Sequence, residues 1–219
     1  KIGVMAKGAR SQKSSFGGTL EPLAYLDVVY YYKSSRELQT LKESSYVRPF
    51  QAIGSDLEKL NVGMRIVELT NILMYQEEAD PTAFELLRTV LAYLNETDRH
   101  PANLWPYFQL RMAELQGFAP DIDRESLESV PEGGGTFDLR NGAVLPPGSS
   151  AGEGRRASRT ALRAFAIYAK AELPTIMRMQ VQPETYREVQ ELIRGYLRTH
   201  VEHLRPSKSR RVFEQMVDI

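Results

Sequence analysis

The residues with the most chemical promise stand close together near the start of the chain. Between Ala6 and Pro22 come Lys7, Arg10 and Lys13, spaced by small residues, by Ser11, Ser14 and Ser15, and by the pair Gly17-Gly18. Cations at intervals of three on a flexible, hydroxyl-rich loop suit contact with successive phosphates of a polynucleotide. The same composition also describes an ordinary solvated loop between strands, and composition alone leaves both readings open. Lys33 and Arg36, either side of Ser34-Ser35, are further candidates for phosphate contact. So are Arg210 and Arg211, in the basic run Arg205-Pro206-Ser207-Lys208-Ser209-Arg210-Arg211. That run reads equally as a solubilising, solvated end.

Positioning these cations falls to strands. Ile2 to Ala6 is short and apolar. Leu20 to Tyr32 is rich in Leu, Val and Tyr, and Glu37 to Val47 holds Leu38, Leu41, Tyr46 and Val47. Such composition favours strands, and Gly17-Gly18 and Ser34-Ser35 break them. Three strands with no helix between them suggest a small barrel of the five-stranded nucleic-acid type. Its opening residues read as mid-strand, so an N-terminal piece is expected to be missing from the sequence. In such barrels exposed aromatics stack bases while cations follow the phosphates. Tyr25, Tyr30, Tyr31 and Tyr32 are the available aromatics, and packing into a core is the competing use for each.

Beyond Pro49-Phe50 the period changes to helical. Ser55 with Glu58 three residues on reads as a capping box. From it Leu57, Leu60, Met64, Val67 and Ile72 with Leu73 recur to about Tyr75. Asp80-Pro81 opens a second helix with the stripe Phe84, Leu87, Leu91 and Leu94. A third is expected over 101–116, stopped by Gly117, with Trp105 in its core. Residues 118–157 lack helical periodicity and carry Pro120, Pro131, Gly133-Gly134-Gly135 and Pro146-Pro147. They predict an irregular excursion with one short hairpin over Phe137–Leu145, turning at Asn141-Gly142. Helices resume at Ser158, break at Pro174 and restart at Pro183, whose helix sets Tyr186, Val189, Ile193, Leu197 and Val201 on one side. Arg187, Arg194 and Arg198 lie on another. The fold class is therefore α+β in two domains, with 1–52 as the nucleic-acid-binding barrel and 53–219 as the helical domain.

Composition narrows the function classes. The 219 residues carry a formal net charge of zero and no cysteine, so disulfides and thiolate metal sites are excluded. Charge is segregated. Residues 1–50 hold eight Lys/Arg against four Asp/Glu, 51–154 hold seven against seventeen, and 155–219 hold thirteen against seven. Two basic ends attract polyanions by releasing condensed counterions, while the acidic middle repels them. No run approaches the ~18 apolar residues of a membrane span, so no membrane partner is expected. Walker, dinucleotide-binding, His-Glu-x-x-His and nucleophile-elbow motifs are all absent. His200 and His203 could share a helix face but have no third ligand nearby in the sequence. Glu77-Glu78 and Asp121/Asp123/Glu125 lack the strand context of a nuclease. An enzyme is not expected.

The residues also carry a resemblance. Gly3-Val4-Met5-Ala6-Lys7-Gly8-Ala9-Arg10, Lys13-Ser14-Ser15-Phe16-Gly17-Gly18 and Leu20-Glu21-Pro22 are followed by Arg48-Pro49-Phe50. Then come Phe108-Gln109-Leu110-Arg111 with Glu114-Leu115, Gly117-Phe118-Ala119-Pro120, and Tyr196-Leu197-Arg198-Thr199-His200 with the basic tail. In this order the chain resembles the RecO family of bacterial recombination mediators. The resemblance implies an OB-fold followed by a helical domain, and a cytoplasmic, nucleoid-associated setting. It implies binding of single- and double-stranded DNA and annealing of complementary strands. It also implies work with RecR in loading RecA onto DNA coated by single-strand binding protein, without catalytic turnover. Carried over by motif, Lys7, Arg10 and Lys13 are expected to contact DNA. The family's helical domain receives the acidic, apolar C-terminal tail of single-strand binding protein, and no motif here maps that site. An adaptor for acidic tails with little direct DNA contact is the alternative.

Two departures from the family stand out. Many members carry paired Cys-x-x-Cys motifs binding zinc in the irregular region. Here the first pair would fall at Glu125 and Glu128, and the second near Pro146 and Ser149. No zinc or other cofactor is therefore expected, and 118–157 is expected to be looser. Members also begin about two strands earlier, ahead of Lys1.

Overall fold

The structure is a computed structural model that describes residues 1–11, 14, 16, 18–146 and 152–202. It is α+β, as expected, and divides into two compact units, Lys1–Glu96 and Thr97–Ile219.

The first unit contains strands β1 (Gly3–Met5), β2 (Tyr25–Tyr31) and β3 (Leu38–Arg48) in one sheet of order β1-β3-β2. β1 runs parallel to β3 and β2 antiparallel. β2 is shorter than the run Leu20–Tyr32 suggested. Pro22 has no N–H to give a ladder, Leu23 sits at φ +65°, and the Ala24 N–H closes a turn onto the Glu21 carbonyl at 3.3 Å. Helices α1 (Gln51–Ser55), α2 (Leu57–Leu73) and α3 (Pro81–Glu96) complete the unit. The capping box at Ser55 and Glu58 does not form. Ser55 ends α1 and donates to the Gln51 carbonyl. Asp56, in extended backbone, caps α2 by accepting the Lys59 N–H at 3.0 Å. A carboxylate one residue on satisfies the same orphan donors and suits the helix dipole better. Asp80 caps α3 in the same way, accepting the Ala83 N–H at 2.9 Å. α2 buries Val62, Ile66, Leu69 and Leu73, a face turned from the expected stripe, of which Leu57 and Ile72 are exposed. α3 buries Val90, Leu91 and Leu94 but leaves Phe84 of its expected stripe exposed. The sheet and these three helices form one compact unit, so the stretch 1–52 is its β-rich part.

The second unit opens with a 3-10 turn (Pro101–Asn103) leading into α4 (Leu104–Leu115). Leu104, Trp105, Phe108, Leu110 and Met112 of α4 are all buried, each such side chain contributing about 1.5–3 kcal/mol by leaving water. Helix α4 ends in a Schellman turn. Gly117 at φ +82° lets the Phe118 N–H reach the Ala113 carbonyl at 3.0 Å. Helices α5 (Arg124–Ser129), α6 (Arg159–Lys170), α7 (Leu173–Ile176) and α8 (Pro183–His200) follow. α8 buries Val189, Ile193, Tyr196 and Leu197. Asn103 ties the unit together from within. Its Nδ2 donates to the carbonyls of Ile176 at 3.0 Å and Met179 at 2.9 Å, and its Oδ1 accepts the Tyr168 hydroxyl at 2.6 Å.

The described residues of the next stretch, 118–146 and 152–157, carry more regular structure than composition suggests, which corrects the expectation of a loose excursion there. They hold α5 and a second sheet of β4 (Gly135–Asp138), β5 (Ala143–Leu145) and β6 (Gly154–Ala157), in the order β5-β4-β6. The expected hairpin is present. Its turn closes through the Gly142 N–H to the Asp138 carbonyl, with Gly142 at φ +68°. β6 is the unexpected strand. The physical reason for the order is burial: Ile122, Val130, Phe137 and Val144 are each at most 3% exposed. The Phe137 ring lies 4.8 Å from that of Phe165 on α6 and 6.0 Å from that of Tyr196 on α8.

Candidate nucleic-acid interface

The cations of the first unit are held on two segments. Lys7 and Arg10 follow β1, both exposed, on a turn in which Gly8 takes φ +74° and the Ser11 N–H reaches its carbonyl. The described residues at the end of this loop are tied to the sheet. Phe16 is buried to 5% exposure and its N–H donates to the Ser14 hydroxyl. Thr19 Oγ1 donates to the Phe16 carbonyl at 2.6 Å and lies 2.6 Å from Ser44 Oγ on β3. The Tyr46 hydroxyl holds the Gly18 carbonyl at 2.7 Å. Among the described residues, Thr19, and not the serines between the cations, fastens this segment to β3. Lys13 lies outside the described residues, as do Arg210 and Arg211.

Lys33 and Arg36 sit on the β2–β3 turn, both exposed. Directly before them Tyr31 and Tyr32 are 59% and 57% exposed, and Tyr30 is 37% exposed. Three of the four candidate aromatics thus lie open on the surface. Among the described residues, none of Lys7, Arg10, Lys33 and Arg36 forms an ion pair. Lys42, by contrast, is spent on Glu43, whose carboxylate holds its ammonium above the usual lysine range.

The residue that sequence reasoning misses is Gln39. It is fully buried. Its Oε1 accepts the Lys33 N–H at 2.8 Å, and its Nε2 donates to the carbonyls of Lys33 at 3.1 Å and Arg36 at 2.7 Å. Three hydrogen bonds from one side chain fix the turn that presents both cations and follows the open tyrosines. The available signal was a lone amide between Leu38 and Leu41 in a strand, where a polar side chain must find buried partners.

Register separates the two pairs of cations. β1 pairs Gly3 with Leu38 and Met5 with Thr40, so the Lys7–Arg10 loop leaves along β3 toward Ser44. The Lys33–Arg36 turn sits at the Leu38 end. The structure brings the cations together in pairs, not as one cluster.

The positions matching the family's zinc motifs do not fit a zinc ion. Glu128 is engaged by Arg124 at 2.6 Å, Pro146 offers no ligand, and Ser149 lies outside the described residues. Among the described residues no group of three His, Asp or Glu is placed to hold a metal. His200 stacks its ring on Phe118 at 5.0 Å with an interplanar angle of 7°. No helix of the described residues is long and apolar enough to cross a membrane.

Comparison with known proteins agrees with this architecture. Residues 1–50 match the family model "Recombination protein O N terminal", and residues 54–211 match "Recombination protein O C terminal". The chain is 46% identical over 216 residues to a DNA repair protein RecO of Salinibacter ruber, covering 99% of this chain and 83% of that protein. Its counterpart in Chloroherpeton thalassium is 26% identical, with 99% and 88% covered. That of an Anaeromyxobacter strain is 29% identical, with 92% and 80% covered. A two-part match through nearly the whole chain, at this identity, means that the chain belongs to the RecO family.

Proposed function

We propose that the protein is a recombination mediator in DNA repair that acts by binding and partner contact, without catalytic turnover. It binds single- and double-stranded DNA and anneals complementary strands. With RecR it helps load RecA onto DNA coated by single-strand binding protein, and it uses no zinc. The observation that carries the reading is the β2–β3 turn. There the open rings of Tyr31 and Tyr32 adjoin Lys33 and Arg36, on backbone pinned by Gln39. Rings give sequence-tolerant stacking of about 1–3 kcal/mol per base, and cations give the phosphate attraction. Lys7, Arg10 and Lys13 extend the basic surface along the neighbouring loop.

A salt titration with a fluorescent single strand tests it. Lys33→Ala with Arg36→Ala, and Lys7→Ala with Arg10→Ala and Lys13→Ala, each weaken binding. Each also flattens the log–log salt slope by roughly 0.7 per lost phosphate contact. Folded variants that bind with wild-type affinity and slope would remove the interface.

The adaptor reading has its own support in the second unit. A groove of about 630 Å³ has a floor of Leu127, Ala166 and Ile167 and is bordered by Arg124, Arg163 and Lys170. Its one acid, Glu128, is taken by Arg124, and Ile167 is 41% exposed. Apolar floor and cationic rim match a peptide that is acidic and ends in an aromatic residue, the chemistry of the single-strand binding protein tail. Such a peptide, titrated by fluorescence anisotropy, is expected to lose about tenfold in affinity on Arg163→Ala with Lys170→Ala. That corresponds to about 1.4 kcal/mol. Unaltered peptide affinity assigns the tail elsewhere.

A further inference from the structure

The second unit has another basic recess, unrelated to the peptide groove. It is a cleft of about 680 Å³ between the β4–β5 turn, the start of β6 and the last turn of α8, lined by Leu139, Arg140, Glu153, Gly154, Arg198, Thr199 and His200. Arg140 approaches Glu153 only at 3.9 Å, and its side chain is 74% exposed. Arg198 is exposed and forms no ion pair among the described residues. One turn back on the same side of α8, Arg194 continues the row, and Arg155 of β6 is joined to Glu191. The floor is rigid. The Leu139 N–H bonds the Glu153 carbonyl at 3.1 Å, Gly195 admits the Leu139 side chain where a Cβ would stand 2.9 Å from it, and His200 is stacked on Phe118. Two guanidinium groups face a cleft with a single, weakly engaged carboxylate. Guanidinium is the side-chain group best matched to phosphate oxygens.

We propose that this cleft binds the phosphodiester backbone of a nucleic acid strand, separately from the basic loop and turn of the first unit. The inference rests on the polynucleotide-binding reading and goes further. One chain then has two phosphate-contacting places, on two compact units, and can hold two strands at once. That is the arrangement that brings complementary strands together without chemistry. Linking two sites on one chain raises the effective concentration of one strand near the other.

The experiment uses the full chain and two non-complementary oligonucleotides carrying a donor and an acceptor dye. Wild-type protein is expected to give energy transfer from a complex containing both strands. Arg140→Ala with Arg198→Ala should keep affinity for the first strand within about twofold but abolish the transfer, and slow annealing of complementary strands at least tenfold. Glu153→Gln, which removes the opposing carboxylate, should strengthen second-strand binding. Lys33→Ala with Arg36→Ala should instead weaken the first binding step. Transfer that survives in the Arg140/Arg198 variant overturns the cleft but leaves the turn intact as an interface. Competition of the second strand by a mononucleotide at equal phosphate concentration also overturns it, because the cleft would then take free phosphates. Failure of wild-type protein to bind any strand overturns the underlying reading as well.

Discussion

Replacing Phe137 with Ala is expected to destabilise the second unit by about 3–5 kcal/mol, the range for emptying a buried aromatic site. The ring is fully buried between Phe165 and Tyr196. Neither neighbour can fall into the gap easily, because each is itself buried and Tyr196 is tied by its hydroxyl to the Phe118 carbonyl at 2.7 Å. Trp105 is the only tryptophan and lies in this unit, so denaturant unfolding followed by its fluorescence reads the second unit alone. The midpoint should fall with an unchanged slope. A chelator added to wild-type protein should leave the same curve in place, since the reading gives zinc no part in holding 118–157. A chelator-induced loss comparable to that of Phe137→Ala would mean that a metal, not apolar packing, holds the region.

Asn103→Ala is expected to cost about 3 kcal/mol or more in the same measurement, although it removes only a small amide. The substitution strips the Tyr168 hydroxyl and the Met179 carbonyl of their shared partner, while the Ile176 carbonyl keeps the Met179 N–H at 3.1 Å. Each buried polar group left unsatisfied costs about 1–3 kcal/mol. Burial already holds the Tyr168 phenol far above its usual range, so it cannot recover by ionising. Tyr168→Phe removes one of the three bonds and leaves the amide's two donations in place. It should cost clearly less than Asn103→Ala. The opposite order would show that the hydroxyl, not the amide, organises the cluster.

These two positions mark how far the sequence could be read. Helices α2, α3, α4 and α8 are legible as elements from apolar spacing, but the buried face is not always so. α2 is apolar on more than one side and buries Val62, Ile66 and Leu69 in place of Leu57 and Ile72, and α4 is buried nearly all round. The Asn141-Gly142 turn follows from local chemistry. Strand β6 does not, because Gly154–Ala157 has no apolar alternation. It is a strand because β4 offers it an edge, and β4 is fixed by what Phe137 meets on helices that come later in the sequence. Asn103 likewise looks like an ordinary residue after a proline until its three partners, from 65 to 76 positions away, are known. In the candidate interface, the cations and tyrosines were legible as residue types. Their division into two pairs was not, since it depends on the parallel register of β1 on β3. The cap at Asp56 was missed by one position because Ser55 and Asp56 are both competent caps, and only the end of α1 decides between them.

The clamp made by Gln39 touches the β2–β3 turn only through main-chain atoms of Lys33 and Arg36. Shape and chemistry at this turn are therefore separable. The amide preserves the path of the chain whatever side chains stand at those two positions. Charge, size and ring content there can drift between lineages without each change first having to rescue the fold. A surface built this way is a natural place for selection to adjust the proposed nucleic acid contact in small steps.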